Sequence, residues 1–114
     1  MGWSMGTEWY LVCEEERVVL DCHKWHLDVE DDGAVTEQVI LDGGEWYDWL
    51  KPLAIRWMRE IAKGREVRAW LDVQGAPPWE EERAPWGVKP GWRVWSAFGQ
   101  ADCLPWPPTD TVVG

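Results

Sequence analysis

The sequence predicts an α+β fold in which a small antiparallel sheet, in the order ββ(β)αβ, packs on one amphipathic helix. The first observation is a series of β-branched and aromatic stretches separated by turn signals within residues 1–41. The second is the i, i+3, i+4, i+7 spacing of apolar residues between positions 45 and 63, which is typical of an amphipathic helix. The length of 114 residues favours one domain, with a sheet-and-helix core over residues 1–75 and a Trp- and Pro-rich extension over 76–114.

An antiparallel meander is predicted for the N-terminal part of the chain. Glu14–Arg17 forms the turn of the first hairpin, and Asp32–Gly33, a pair favoured in type I′ turns, separates the second strand from the third. The acids of the two turns are expected to form one negative surface, although the turns lie at opposite ends of the second strand and strand twist must bring them together. The three strands cover residues 8–13, 17–29 and 34–41.

Residues 45–63 form the predicted helix, with Asp42 as N-cap and Glu45 as its partner in a capping box. Pro52 falls in the middle of this segment, where its missing N–H predicts a kink or two helical pieces. A fourth strand is predicted over residues 66–73, where apolar and polar residues alternate. The buried stripe of the helix is predicted to comprise Trp46, Leu50, Leu53, Trp57 and Ile61.

The composition changes from Gln74 onward, because seven of the eight prolines lie there. Residues 92–98 are the one remaining strand candidate in this part of the sequence. The stretches 76–90 and 104–108 are expected to be loop or extended, polyproline-like chain. The extension is therefore predicted to wrap irregularly around the core.

The three cysteines are predicted to be free thiols. The register of the first hairpin places Cys13 opposite Val18 and Cys22 opposite Trp9, so that the two sulfurs lie too far apart for a disulfide. The sequence contains no C-x-x-C motif, and its first residues lack the basic and apolar regions of a signal peptide. Together with the distant position of Cys103, these features predict a cytoplasmic protein.

The charge distribution is strongly uneven. The formal net charge is −10, and residues 1–50 carry thirteen acidic and two basic side chains. We expect no direct binding to a nucleic-acid backbone, because that affinity depends mainly on Lys and Arg. No apolar run reaches the ~18–20 residues that a membrane span requires, so no membrane partner is expected. The favoured partner is a protein with a basic surface, whose association an acidic face accelerates.

Twelve tryptophans are more than a single core of this size encloses easily. We expect some of them to be exposed, and partly exposed tryptophan is enriched at binding hot spots. The alternative interpretation of each tryptophan is an ordinary core residue. The candidates for exposure lie in the Pro-rich half of the chain, where extended loops would present aromatic rings to solvent: Trp79, Trp86, Trp92 and Trp95.

Metal sites are only weakly indicated. Suitable ligand atoms lie close in sequence at Cys22, His23 and His26. Strand alternation would point His23 away from the other two, so we expect no metal or cofactor there. The acidic turn matches the start of an EF-hand loop at Asp28, Glu30, Asp32 and Gly33. Its twelfth position is Val39 rather than the required glutamate, which favours an acidic hairpin tip.

The motifs of common catalytic sites are missing from the sequence. Ser4 and Ser96 are the only serines, and neither lies in a G-x-S-x-G motif. The glycines at positions 43, 44, 87 and 91 fit neither the Walker pattern nor the dinucleotide-binding pattern. We therefore expect a protein that is not an enzyme, while a metal- or thiol-dependent small enzyme is kept as a third hypothesis.

The leading hypothesis is a non-enzymatic acidic protein that binds and inhibits a basic macromolecular partner. Immunity proteins and phage anti-defence proteins, including nucleic-acid mimics, have these general traits. Acids would steer the encounter and exposed tryptophans would anchor the complex. The alternative is a ligand-binding module, in which tryptophans form a stacking platform for sugar rings or a Pro-rich peptide. The predicted partner-binding residues are Glu14, Glu15, Glu16, Asp28, Glu30, Asp31, Asp32, Trp79, Trp86, Trp92 and Trp95.

Overall fold

The computed structural model describes residues 8–43, 47–71, 75, 77–80, 88–100 and 103–108. The elements follow the order β1 (Trp9–Cys13), β2 (Val18–Asp21), α1 (Glu37–Gly43), α2 (Leu50–Glu60), β3 (Arg68–Leu71), β4 (Arg93–Ser96) and β5 (Leu104–Pro105). The strands form one sheet in the order β3-β1-β2-β4-β5. The predicted α+β class is confirmed.

The sheet is mixed rather than antiparallel. β1 pairs antiparallel with β2 and with β3, in registers that include Cys13↔Val18 and Leu11↔Ala69. β4 pairs in parallel with β2, and β5 pairs in parallel with β4. The predicted antiparallel pairing is therefore correct for β1, β2 and β3. β4 lies in the remaining strand candidate, whereas β5 corrects the prediction that residues 104–108 are loop or polyproline-like chain. A parallel pair is not closed by a hairpin turn, so neither of these pairs leaves a turn signal in the sequence.

The segment 34–41, predicted as the third strand, is largely helical. Only Ala34 pairs with the sheet, through a single bridge to Arg68, and α1 begins at residue 37. The hydroxyl of Thr36 accepts a hydrogen bond from the amide of Val39 over 3.2 Å, which satisfies an N–H of the first helical turn. This cap, which the alternation of apolar residues did not indicate, favours a helix over a strand.

The second strand is shorter than predicted. β2 ends at Asp21, whereas the pattern indicated a strand over 17–29. His23 has a left-handed backbone conformation with φ 54, which a continuous strand does not allow. The amide of Trp25 then donates a hydrogen bond to the carbonyl of Cys22 over 3.0 Å and closes a turn. The chain therefore leaves the sheet after β2 and returns to it beside β3.

α2 begins at Leu50, later than predicted. Pro52 therefore lies in the first helical turn, where no intrahelical N–H bond is required, and the predicted kink is wrong. Trp49 takes the N-cap position, whereas Asp42, the predicted cap, lies in α1. The predicted stripe is buried at Leu50 and Trp57 and half-buried at Leu53 and Ile61, while Glu45 and Trp46 lie outside the described residues.

Both helices pack on one face of the sheet. Their buried side chains form the main core together with Leu11, Leu20 and Trp95 from the strands. The opposite face carries a smaller cluster of buried residues, which comprises Val12, Val19, Trp79 and Val94. No helix in the described part of the chain is long and apolar enough to cross a membrane.

Candidate functional site

A groove with a volume of about 350 Å³ lies between β3 and the turn at 30–33. Exposed carboxylates form its rim, and they belong to Glu14, Glu30, Asp31 and Asp32. Buried and half-buried apolar residues form its floor, and they are Val12, Val29, Ala69, Trp70 and Leu71. We call this surface the acidic groove.

Backbone hydrogen bonds hold the turn of the acidic groove against the edge of the sheet. The amide of Ala69 donates to the carbonyl of Gly33 over 2.8 Å, and the amide of Val35 donates to the carbonyl of Val67 over 2.9 Å. Within the turn, the amide of Gly33 donates to the carbonyl of Glu30 over 2.9 Å. Gly33 has φ 72, a conformation that favours glycine because it has no Cβ atom. The turn is therefore fixed beside β3.

The hairpin turn reaches the same groove through β1. Val12 pairs with Arg68 across β1 and β3, and Glu14 follows the last residue of β1. The sequence predicted that the two acidic turns lie at opposite ends of a long second strand. That prediction is wrong, because β2 stops at Asp21 and the chain crosses to the outer side of β3. Carboxylates from both turns consequently line one surface.

Basic side chains compensate little of this charge. Within the described ranges, no Lys or Arg forms an ion pair with any of the four rim carboxylates. Arg68 is the one cation among the described residues that line the groove, and its Nε lies 3.6 Å from Oε2 of Glu66. An adjacent cavity of about 280 Å³ shares Glu14 and Arg68 and adds Glu15 and Glu66. Acidic residues therefore dominate a continuous surface.

Of the other predicted acids, Glu15 and Glu16 form ion pairs, and Asp28 lies outside the acidic groove. Arg65 lies 3.0 Å from a carboxylate oxygen of Glu15 and 2.9 Å from one of Glu16. The ammonium nitrogen of Lys63 lies 3.6 Å from Glu16. Asp28 lines a separate cleft of about 620 Å³ beside α1. Of these three acids, Glu15 alone borders the cavity next to the acidic groove.

The tryptophans predicted as exposed are mostly enclosed. Trp79 is 3% exposed, because it packs against two aromatic rings whose centroids lie at 4.9 and 6.1 Å. Trp95 is 7% exposed and lies on the opposite face of the sheet, where the guanidinium of Arg93 stacks 5.1 Å from its centroid. Trp92 is half-buried, and Trp86 lies outside the described residues. The predicted exposure of Trp79 and Trp95 is wrong, and these two rings share no surface.

The sequence did not predict the aromatic cluster of Tyr47, Trp49 and Phe98. Their ring centroids lie 6.0, 5.6 and 5.4 Å apart, and the ring of His23 lies 5.2 Å from that of Phe98. Trp49 is 49% exposed, because the helix begins after it and its ring does not belong to the buried stripe. Pro52 could have indicated that Trp49 precedes the helix. A proline is tolerated in the first turn of a helix, so Pro52 places the start of α2 just before it.

The weak metal candidates do not converge. Cys22 is fully buried, and this burial raises the pKa of its thiol well above the usual range, which disfavours the thiolate that binds metals. His26 is exposed and packs against Trp9 with ring centroids 5.1 Å apart. Asp32 accepts a hydrogen bond from the amide of Ala34 over 3.0 Å. In the part of the chain that the structure describes, no three His, Cys, Asp or Glu side chains are grouped to hold a metal ion.

The sequence also did not indicate that Asp21 is a buried carboxylate in the sheet. Asp21 is 4% exposed and accepts hydrogen bonds from the amide of His23 over 2.9 Å and from the hydroxyl of Ser96 over 3.3 Å. Desolvation raises the pKa of Asp21, and it also raises the pKa of its cross-strand neighbour Tyr10. Ser96 is 2% exposed, so its hydroxyl stabilises the sheet and is not accessible to a substrate.

Among the described residues, the acidic groove is the surface on which the most predicted site residues come together. Comparisons with protein-family models, with curated proteins and with solved structures found no match to this chain. The chemistry of the groove is attraction of cations at its rim and burial of apolar groups at its floor.

Proposed function

We propose that this chain is a non-enzymatic acidic protein that binds a basic surface of a macromolecular partner and blocks it. One observation supports the proposal above the others. Exposed carboxylates from two separate turns line one groove, and the described residues around it include a single basic side chain. Long-range attraction raises the association rate of a basic partner with such a surface, and acidic partners are repelled. The formal net charge of −10 likewise attracts basic partners and repels acidic ones.

Inhibition follows from competition for the basic surface. Basic surfaces on proteins commonly hold a phosphate backbone, because Lys and Arg neutralise its charge. A protein that places carboxylates on such a surface excludes the nucleic acid. We therefore propose an inhibitor of the immunity type or the phage anti-defence type, acting as a nucleic-acid mimic, with a nucleic-acid-binding protein as its partner.

Affinity capture with two matched variants tests this proposal. Asp31→Lys with Asp32→Lys reverses two carboxylates of the acidic groove. Asp42→Lys with Asp48→Lys changes the net charge by the same amount at exposed acids that do not line the groove. We expect the immobilised wild-type chain to retain basic proteins from a lysate at low salt. It should release them near 1 M salt, where the Debye length is ~3 Å.

The groove variant should lose the retained proteins and the control variant should keep them. A retained nucleic-acid-binding protein, once purified, should release a labelled oligonucleotide when the wild-type chain is added. Equal retention by the two variants, or retention that is the same at low and high salt, would contradict the proposal.

A further inference from the structure

We infer that the acidic groove accepts one short segment of a partner chain in which Lys or Arg side chains flank an aliphatic residue. This inference rests on the proposed function and specifies the part of the partner that enters the groove. Two properties of the groove support it, its length and the chemistry of its floor and rim, and the position of Arg68 supplies a test of it.

The length of the groove limits the segment that it accepts. β3, which forms one wall, has four residues, and at ~3.3 Å per residue it is roughly 13 Å long. About four residues of extended chain span that length.

The floor of the groove is complementary to apolar side chains of the occupant, and the rim is complementary to cationic ones. Val29 and Leu71, which are half-buried, contribute apolar surface to the floor, whereas Glu14, Glu30 and Asp31 contribute exposed carboxylates to the rim. An occupant with only charged side chains would leave the apolar floor without a matching group. An aliphatic side chain on the floor gains from the removal of apolar surface from water, while cations on either side of it approach the rim. The matching segment therefore combines both kinds of residue.

Arg68 reduces the affinity of the groove for cations. Its side chain is 58% exposed, it lines both the acidic groove and the adjacent cavity, and the carboxylate of Glu66 lies 3.6 Å from it. A cation at this position repels an incoming Lys or Arg and competes with it for the carboxylates. Removal of this charge should therefore increase the affinity for a basic segment, whereas removal of a residue that only supports the fold would decrease it.

Two labelled peptides of equal charge test the inference by fluorescence anisotropy at low salt. The first has three lysines separated by leucines, and the second has three lysines separated by serines. We expect the leucine peptide to bind the wild-type chain roughly tenfold more tightly or better, because burial of an aliphatic side chain supplies at least that factor. Asp31→Lys with Asp32→Lys should weaken its binding about tenfold, and Asp42→Lys with Asp48→Lys should leave it unchanged. Arg68→Gln should strengthen it about threefold.

Each contrary result has a definite meaning. Equal affinity for the two peptides would overturn the role of the apolar floor, and weaker binding to Arg68→Gln would overturn the role of Arg68. If neither peptide binds, while capture of basic proteins still depends on Asp31 and Asp32, the partner presents a folded surface; the inference is then wrong and the proposed function stands. If capture does not depend on Asp31 and Asp32 either, both are wrong.

Discussion

The amide of Ala69 donates a hydrogen bond to the carbonyl of Gly33 over 2.8 Å, and this bond joins the acidic turn to the edge strand β3. Because of it, Asp31 and Asp32 line the same groove as Glu14 of the first hairpin. The position of the acids therefore depends on the conformation of the turn, in which Gly33 has φ 72.

Gly33→Ala should lower the free energy of unfolding by about 1 kcal/mol, because a residue with a Cβ atom is strained in the left-handed region. Gly64→Ala is the matched control, since Gly64 has φ 73 and lies after α2, away from the acidic groove. Urea denaturation should show similar losses for the two variants, and only Gly33→Ala should weaken binding of the basic partner. If both variants bind as the wild type does, the conformation of the turn does not position the acids.

Trp57→Ala should lower the free energy of unfolding by about 3–5 kcal/mol, because Trp57 is fully buried in the main core and its loss leaves a large cavity. Trp57→Phe should cost less than half as much. The buried indole N–H of Trp57 has no hydrogen-bond acceptor among the described residues, so phenylalanine removes an unsatisfied donor. The midpoints of urea denaturation measure both effects. A Trp57→Ala midpoint close to that of the wild type would show that Trp57 is not a core residue.

The pH dependence of stability should reveal the buried Asp21. Desolvation raises the pKa of Asp21 above its ordinary value of 3.8, so the folded chain binds this proton more tightly than the unfolded chain does. The contribution of Asp21 to stability is therefore fully present below pH 3.8 and is lost as the pH rises through the raised pKa. Relative to Asp21→Asn, the wild type should lose free energy of unfolding as the pH rises from about 4 through the raised pKa.

Parallel denaturation of the wild type and Asp21→Asn over this pH range measures that difference, in which contributions of acids that do not interact with Asp21 cancel. Asp48→Asn is the control for an exposed carboxyl, since its side chain is 89% exposed. A difference that grows in favour of the wild type as the pH rises would mean that hydrogen bonds from His23 and Ser96 outweigh desolvation at Asp21.

The elements with local signals were predictable from the sequence. β1, the start of β2, α2 and β3 follow from alternation, turn residues and helical spacing, which involve neighbours in the chain. The parallel pairs of β4 with β2 and with β5 are not closed by hairpin turns, and β2 and β4 are distant in the chain, so the sequence carries no comparable signal for them. The helix at 37–43 was missed because the side-chain cap at Thr36 acts against a pattern of alternating apolar residues.

The sequence predicted that the two acidic turns form one negative surface, but not the chain path that brings their carboxylates to one groove. The carboxylates of the acidic groove were identified individually by their density in the first half of the chain. Their meeting depends on the early end of β2 at Asp21 and on the bond between Gly33 and Ala69, neither of which a local pattern indicates. The burial of Trp79 has a similar cause, because it requires that the segment 77–80 folds over the second face of the sheet.

The salt dependence of the association rate tests the central claim, that the acidic groove attracts a basic partner. Stopped-flow mixing with the captured partner should show that Asp31→Lys with Asp32→Lys binds more slowly than Asp42→Lys with Asp48→Lys at low salt. The two rates should converge near 1 M salt, where the Debye length is ~3 Å and distant charges no longer act on each other. A ratio of rates that is the same at low and high salt would show that these carboxylates do not steer the partner.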